Sequence, residues 1–227
     1  NLMRLYWIPP GLKPTDGAYV CYPLHELAAV VALESRRARC MVIGEDLGTV
    51  APEVRAVMAE RMLLSYRLFY FERDAEGDFV PPAAYPRDAL VAVSTHDLPT
   101  LAGFWTHEDI ETRRRTGIIP DDATYHQQME ARRRDKQKML EVLFSLNLLP
   151  PAYPRNAADT PELTGELHNA IVGFLAMAPS QMLLINQEDL TKEVHQQNVP
   201  GTTWQYPNWG RKMGYTLEQL RSHPPAR

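Results

Sequence analysis

Short apolar runs alternate along this chain with longer stretches in which apolar residues return every three or four positions. The first pattern marks buried strands and the second amphipathic helices. Residues 39–44 form one such run, and Pro52-Glu53 then opens a helical stretch to Met62, since proline suits the first turn of a helix. Together they read as one strand-plus-helix unit. Residues 64–71, rich in Leu, Tyr and Phe, predict the next strand, and the Gly, Pro and Asp content of 74–86 predicts a long loop. Residues 90–94 are a third strand, and 101–105 begin a helix. In 123–146, Met129, Met139, Leu140, Leu143 and Phe144 are spaced among charges as one apolar helix face, which Pro150-Pro151 ends. Residues 162–178 are a further helix. Residues 181–186 are the fourth strand, followed by a loop carrying Gln187-Glu188-Asp189. Before Arg39 the chain offers a strand candidate at 2–8 and a helix at 28–34, and no internal repeat stands out.

Strands alternating with helices, with polar residues gathered where strands end, predict an α/β fold: the C-terminal half of a (β/α)8 TIM barrel. On this reading residues 1–227 form one part of a catalytic barrel, with a helical insertion at about 107–160. Four clear strands are half of what closure needs. The competing fold, a doubly wound open sheet, would carry a glycine-rich phosphate loop such as G-x-G-x-x-G, and the chain has none.

Composition narrows the function classes. With 227 residues, 44% hydrophobic content and a mean hydropathy of −0.35, the chain reads as ordinary globular protein. A formal charge of −4 gives no footprint for nucleic acid. The runs Arg113-Arg114-Arg115 and Arg132-Arg133-Arg134 are interrupted by acids and read as solvated helix faces. Apolar stretches such as 28–33 and 171–178 fall short of the ~20 residues a membrane-crossing helix needs, so no membrane association is expected. The chain starts without Met or a secretory pattern, which suggests the interior of a longer polypeptide. Cys21 and Cys40 are isolated and read as buried reduced thiols of a cytoplasmic protein. Seven scattered His and two Cys suggest no metal site, and no cofactor is called for.

The candidate chemistry lies at two strand ends. Glu45 and Asp46 follow one apolar run, and His96-Asp97 follows another. On a barrel scaffold acid/base groups sit where strands stop, so Glu45 and Asp97 are expected at one edge of a parallel sheet. Each has a structural alternative. Asp97, before Leu98-Pro99-Thr100, has the pattern of a helix N-cap with proline in the first turn. Glu45 or Asp46 fits a cap for the helix near Pro52, or a partner for an arginine. A lone His96 is commonly a satisfied structural histidine. Asn198, before Val199-Pro200-Gly201, is equally a turn former and a polar ligand.

The segments Ile43-Gly44-Glu45-Asp46-Leu47-Gly48-Thr49-Val50, Ser94-Thr95-His96-Asp97-Leu98-Pro99-Thr100, and Asn198-Val199-Pro200-Gly201-Thr202 with Tyr206-Pro207-Asn208-Trp209 resemble, in order and spacing, the signatures of the 4-α-glucanotransferases, or amylomaltases. The similarity runs from Asn1 to about Lys212. It implies a TIM barrel that transfers α-1,4-glucan segments between maltooligosaccharides by a retaining double displacement. By this resemblance Glu45 is the general acid/base and Asp97 the carboxylate that stabilises the transition state. The nucleophilic Asp belongs to an Arg-x-Asp-His motif that residues 1–227 do not contain. An isolated chain of this extent is therefore expected to be inactive and to expose a sheet edge.

Retaining transfer needs one carboxylate to attack the anomeric carbon and another to protonate the leaving oxygen and later deprotonate the incoming one. His96 and Asn198 are expected to contact the sugar. Sugar C–H faces pack on aromatic rings, for which Tyr6, Trp7, Tyr19, Phe104, Trp105, Tyr206 and Trp209 are available, Trp105 being the favoured pocket wall. An α-glucan hydrolase differs only in using water as acceptor, and a non-catalytic glucan-binding fragment is the reading from another class.

Overall fold

The computed structural model of the protein describes residues 3–222, so Leu2 of the first strand candidate lies outside the described residues. The elements run β1 (Arg4–Trp7), β2 (Ala18–Cys21), α1 (Leu24–Ala38), α2 (Pro52–Glu60), β3 (Ser65–Leu68), β4 (Ala89–Ala92), α3 (Leu101–Thr106), α4 (Glu108–Arg115), α5 (Asp122–Ser145), α6 (Gly165–Ala176), β5 (Met182–Leu184), α7 (Gln187–Leu190) and α8 (Leu217–Ser222). The fold is of the α/β class. The described residues divide into two compact units, one made of residues 3–67, 86–90 and 180–182, the other of 68–85, 91–179 and 183–222.

Strands β3, β4 and β5 form a sheet in that order. The Ser65 N–H donates to Asp88 O at 3.0 Å and the Phe69 N–H to Ala92 O at 2.9 Å. The two bonds advance together along both strands, which is parallel pairing. The run at 39–44 is not a strand of this sheet. It contributes a single parallel bridge, Ile43 to Leu64, held by Gly44 N–H to Leu64 O at 2.8 Å and Leu64 N–H to Val42 O at 3.0 Å. Two bonds suffice to bring Glu45 and Asp46 to a chosen place, after which the chain departs.

The first unit also holds a hairpin whose second strand was not foreseen. Strand β1 pairs antiparallel with β2, Arg4 opposite Cys21 and Trp7 opposite Ala18. Gly17 permits the turn: a Cβ there would come within 2.8 Å of the Tyr6 ring, whose hydroxyl donates to Pro14 O at 2.5 Å. Both cysteines are free and exposed, which corrects the expectation of buried thiols. They fall on a hairpin strand and just past α1, where no core covers them.

The second unit owns the larger core. Phe69 stacks on Phe79 at 4.4 Å, and Phe174 meets Phe69 edge-on at 5.2 Å. Met139, Leu140 and Leu143 of α5 and Leu167, Ile171 and Leu175 of α6 are buried with them. Each such side chain contributes roughly 1.5–3 kcal/mol. The caps follow the rules of their residue types. Asp121 accepts from Thr124 N–H at 2.7 Å to start α5, and Thr164 accepts from Leu167 N–H at 3.1 Å to start α6. Helices α4 and α5 occupy most of residues 108–145.

Two sequence expectations change here. Arg132 is not on a solvated face: its guanidinium grips Asp109 through two bonds of 2.7 Å and lies over the Phe104 ring. Trp105 is not a pocket wall. It is 0% exposed and its indole N–H donates to Thr160 O at 2.7 Å, so its ring is core. Trp105 falls on the inner face of α3, a short helix of largely apolar sequence that packs inward almost all round.

Candidate active site

In the first unit the adjacent carboxylates divide their roles. Asp46 is fully buried, and its Oδ1 accepts the Tyr66 N–H at 2.9 Å. Its Oδ2 accepts the Ser65 hydroxyl at 2.7 Å and the Arg55 Nε at 3.1 Å, with an Arg67 nitrogen at 3.3 Å. Burial works to raise the Asp46 pKa, but the Tyr66 N–H, the Ser65 hydroxyl, the Arg67 charge and Arg55 outweigh it and hold the carboxyl below its ordinary 3.8. Asp46 is thus the arginine-paired residue among the two alternatives. Neither caps α2, whose N-cap is Ala51. Glu45 is exposed beside it. Burial first, and then the Glu45 charge, push the Tyr66 phenol above its usual value.

Asp46→Asn is expected to destabilise the protein by about 2–3 kcal/mol, discounted from the fully buried case because Arg55 is partly solvated. The folded-state pKa is depressed, so this contribution is present above the ordinary carboxylate value and is lost as pH falls through the lower folded value. Thermal midpoints of parent and variant should therefore differ at neutral pH and converge as the pH falls below the depressed folded value.

In the second unit, β4 runs into Ser94-Thr95-His96-Asp97. The Leu98 N–H closes a turn on Thr95 O at 3.1 Å, and the Asp97 N–H reaches Thr95 Oγ1 at 3.3 Å. Helix α3 is capped by Thr100, whose Oγ1 accepts from Gly103 N–H at 3.0 Å, and not by Asp97. That leaves the Asp97 carboxylate for other partners. Asn198 Nδ2 donates to its Oδ1 at 2.6 Å and His96 Nε2 lies 3.4 Å from the same oxygen, so Oδ2 keeps its lone pairs for another donor. The side chains of His96 and Asp97 are 50% and 46% exposed. The Trp209 ring sits 4.8 Å from the His96 ring. Its backbone is held at φ 59°, a conformation costly for a bulky residue, while its N–H donates to Gln197 O at 2.9 Å.

What aims Asn198 at Asp97 is a clamp that sequence reasoning did not identify. The Asn198 N–H donates to His96 O at 3.1 Å, and Gln196 Nε2 to Asn198 O at 2.5 Å. Thr100 Oγ1 donates to Glu193 O at 2.5 Å, and the buried Asp189 accepts the Leu101 N–H at 2.7 Å. Burial lifts the Asp189 carboxyl to about 6 against the pull of that N–H, Asn186 and His168. The 193–198 segment lies so close on α3 that a Cβ at Gly103 would stand 2.3 Å from Val194 O. Asn208 fastens the far side: its Oδ1 accepts the Val199 N–H at 2.9 Å and its Nδ2 reaches Thr202 Oγ1 at 2.8 Å. The glycine in an otherwise apolar helix was the one signal of this close approach.

Among the predicted site residues, His96, Asp97 and Asn198 are thus brought together, Glu45 stands exposed in the other unit, and Trp105 is excluded by burial. Of the aromatic candidates, Phe104 and Tyr206 are also buried, the latter donating its hydroxyl to Gln196 O at 2.7 Å, while Tyr6, Trp7, Tyr19 and Trp209 are exposed. A cavity of about 380 Å³ opens among residues 187–197 and 207–215, with Glu188, Glu193, His195 and Arg211 in its wall and none of the predicted residues. Among the described residues no cluster of His, Cys, Asp or Glu is arranged to hold a metal ion.

Comparison with known proteins places this geometry in a family. The 4-alpha-glucanotransferase of Haemophilus influenzae is 39% identical over 223 residues, which are 98% of this chain and 32% of that protein. That of Mycobacterium tuberculosis is 35% identical over 214 residues, 92% of this chain and 28% of the relative. The crystal structure of amylomaltase from Corynebacterium glutamicum superposes with a TM-score of 0.87 at 30% identity, covering 99% of this chain and 33% of that one. Amylomaltase from Streptococcus agalactiae, solved in complex with acarbose, shares the fold at 16% identity with a TM-score of 0.63, covering 99% of this chain and 37% of its own. The chain spans about a third of the length of these relatives. A family model described as 4-alpha-glucanotransferase matches residues 1–217, and the chain belongs to that family.

Proposed function

We propose that this chain carries two of the three carboxylates of a retaining 4-α-glucanotransferase that moves α-1,4-glucan segments between maltooligosaccharides. The observation that carries the reading is the Asp97 carboxylate, half-exposed, free of any helix-capping duty, and oriented by Asn198 at 2.6 Å. Glu45 protonates the departing glycosidic oxygen and then takes the proton from the acceptor hydroxyl. Asp97 stays ionised and accepts hydrogen bonds from ring hydroxyls through Oδ2, bonds that strengthen as positive charge develops at the anomeric carbon. Asn198 occupies Oδ1, which fixes the direction of the other oxygen. His96, braced by Trp209, donates to the same sugar. The nucleophilic Asp of the Arg-x-Asp-His motif is not among residues 1–227.

No helix among the described residues is long and apolar enough to cross a membrane. A cytoplasmic location accords with two free, exposed thiols. The test is incubation of the full-length polypeptide with maltotriose and analysis of product lengths. Transfer yields glucose together with chains longer than maltotriose. Products confined to chains shorter than maltotriose would replace the reading with an α-glucan hydrolase, and no turnover with retained maltotriose binding would leave a glucan-binding protein.

A further inference from the structure

A second cavity in the second unit, about 520 Å³, is lined by cations. His107, Arg133, Arg134 and Lys136 contribute to its wall together with Asn156, and no acidic residue does so among the described residues. Lys136 makes it a built feature. It projects from the buried face of α5, is only 5% exposed, and has no carboxylate partner among the described residues. Its Nζ lies 4.6 Å from the centroid of the Trp105 ring. Four residues earlier on the same helix, Arg132 is also inward but fully compensated by Asp109. The fold therefore pairs one buried cation and leaves its neighbour open to the cavity, an arrangement that costs free energy unless an anion arrives.

His107 belongs to the same wall, with its unpartnered nitrogen shielded from the cavity space. Its Nε2 is buried without a hydrogen-bond partner, and its backbone is held at φ 67° between α3 and α4. Burial lowers the Lys136 pKa to about 8, aided by Arg132 and Arg133; burial, Lys136 and Arg132 lower that of His107. The Asp109 carboxylate opposes the shift at His107, whereas no acidic group offsets the one at Lys136. Asn156 accepts the Ala158 N–H through Oδ1 at 2.9 Å, which leaves its Nδ2 hydrogens to donate. Arg133 is engaged by Glu130, whereas Arg134 forms no ion pair among the described residues.

We propose that this cavity binds a small phosphomonoester, its phosphoryl oxygens taken by Lys136, Arg134 and Asn156 Nδ2. A dianion matches the charge of two cations, and its three terminal oxygens can reach three donors that stand apart, where a carboxylate brings one charge and two oxygens. The cavity is far larger than a phosphate ion, and Ala157 and Pro161 give it an apolar wall for the organic part. None of Glu45, His96, Asp97 or Asn198 takes part, so the proposal stands apart from the transfer chemistry.

Glucose 6-phosphate is the probe, titrated into the full-length polypeptide and followed by tryptophan fluorescence, because Trp105 lies directly against Lys136, and by the thermal midpoint. Inorganic phosphate, glucose, and sodium chloride at matched ionic strength are the comparisons. The expected result is saturable binding of glucose 6-phosphate with a rising midpoint, weaker binding of inorganic phosphate, and no effect of glucose or salt on this signal. Lys136→Met keeps the buried volume without the charge and should weaken binding at least about tenfold. Arg134→Gln, at an exposed position that leaves the core untouched, should weaken it by a smaller factor. Equal affinity for inorganic phosphate would overturn the assignment to an ester. Absence of saturable binding, reproduction of the signal by glucose or salt, or full affinity in either folded variant would overturn the site.

Discussion

On the proposed function, Glu45→Gln in the full-length polypeptide is expected to lower glucan transfer by ~10²–10⁴-fold, the range lost when a general acid/base is removed. The amide keeps the size and shape of the side chain but can neither deliver a proton to the leaving oxygen nor retrieve one from the acceptor. Because the neighbouring Asp46 carries the arginine network and Glu45 is exposed, stability should change by no more than about 0.5 kcal/mol. Maltotriose binding should survive. Initial rates of glucose release from maltotriose, set beside the thermal midpoint, separate the two effects. A rate within about tenfold of the parent would remove Glu45 from proton transfer.

Asp97→Asn should cost about 10²–10³-fold in kcat, the scale on which preorganised electrostatic stabilisation acts. Asn198 Nδ2 can still donate to the new amide oxygen, so the clamp between residues 97 and 198 is kept while the negative charge beside the sugar is lost. The effect should therefore fall on kcat and leave KM largely alone, since the charge matters most when the anomeric centre is cationic. A rise in KM at unchanged kcat would make Asp97 a ground-state binding residue.

The strand end before Ser94 was legible because polar residues immediately after an apolar run have little choice of place: the run is drawn into the sheet and the polar residues stop at its edge. The helix at 123–146 was legible for the same reason, its apolar spacing, and the observed α5 differs from it by one residue at each end. The run at 39–44 misled because apolar sequence signals burial, whereas strand identity requires a partner along its length, and only Leu64 supplied one.

By itself, then, the sequence determined which segments fold inward and which residue types stand at the strand ends, since hydrophobic periodicity and local capping chemistry are properties of neighbours along the chain. It named Glu45, His96, Asp97 and Asn198 but left their structural alternatives standing. Tertiary structure decided the capping and arginine-pairing ones. Thr100 took the cap and released Asp97; Asp46 took the arginines and released Glu45; and the clamp from Asp189 to Asn208 brought Asn198 onto a carboxylate about a hundred residues away. It also turned Trp105 into the core and set Lys136 in the wall of a cavity lined by cations. These outcomes depend on which distant backbone N–H, carbonyl or charge arrives within hydrogen-bonding reach, and no pattern among sequence neighbours encodes that distance.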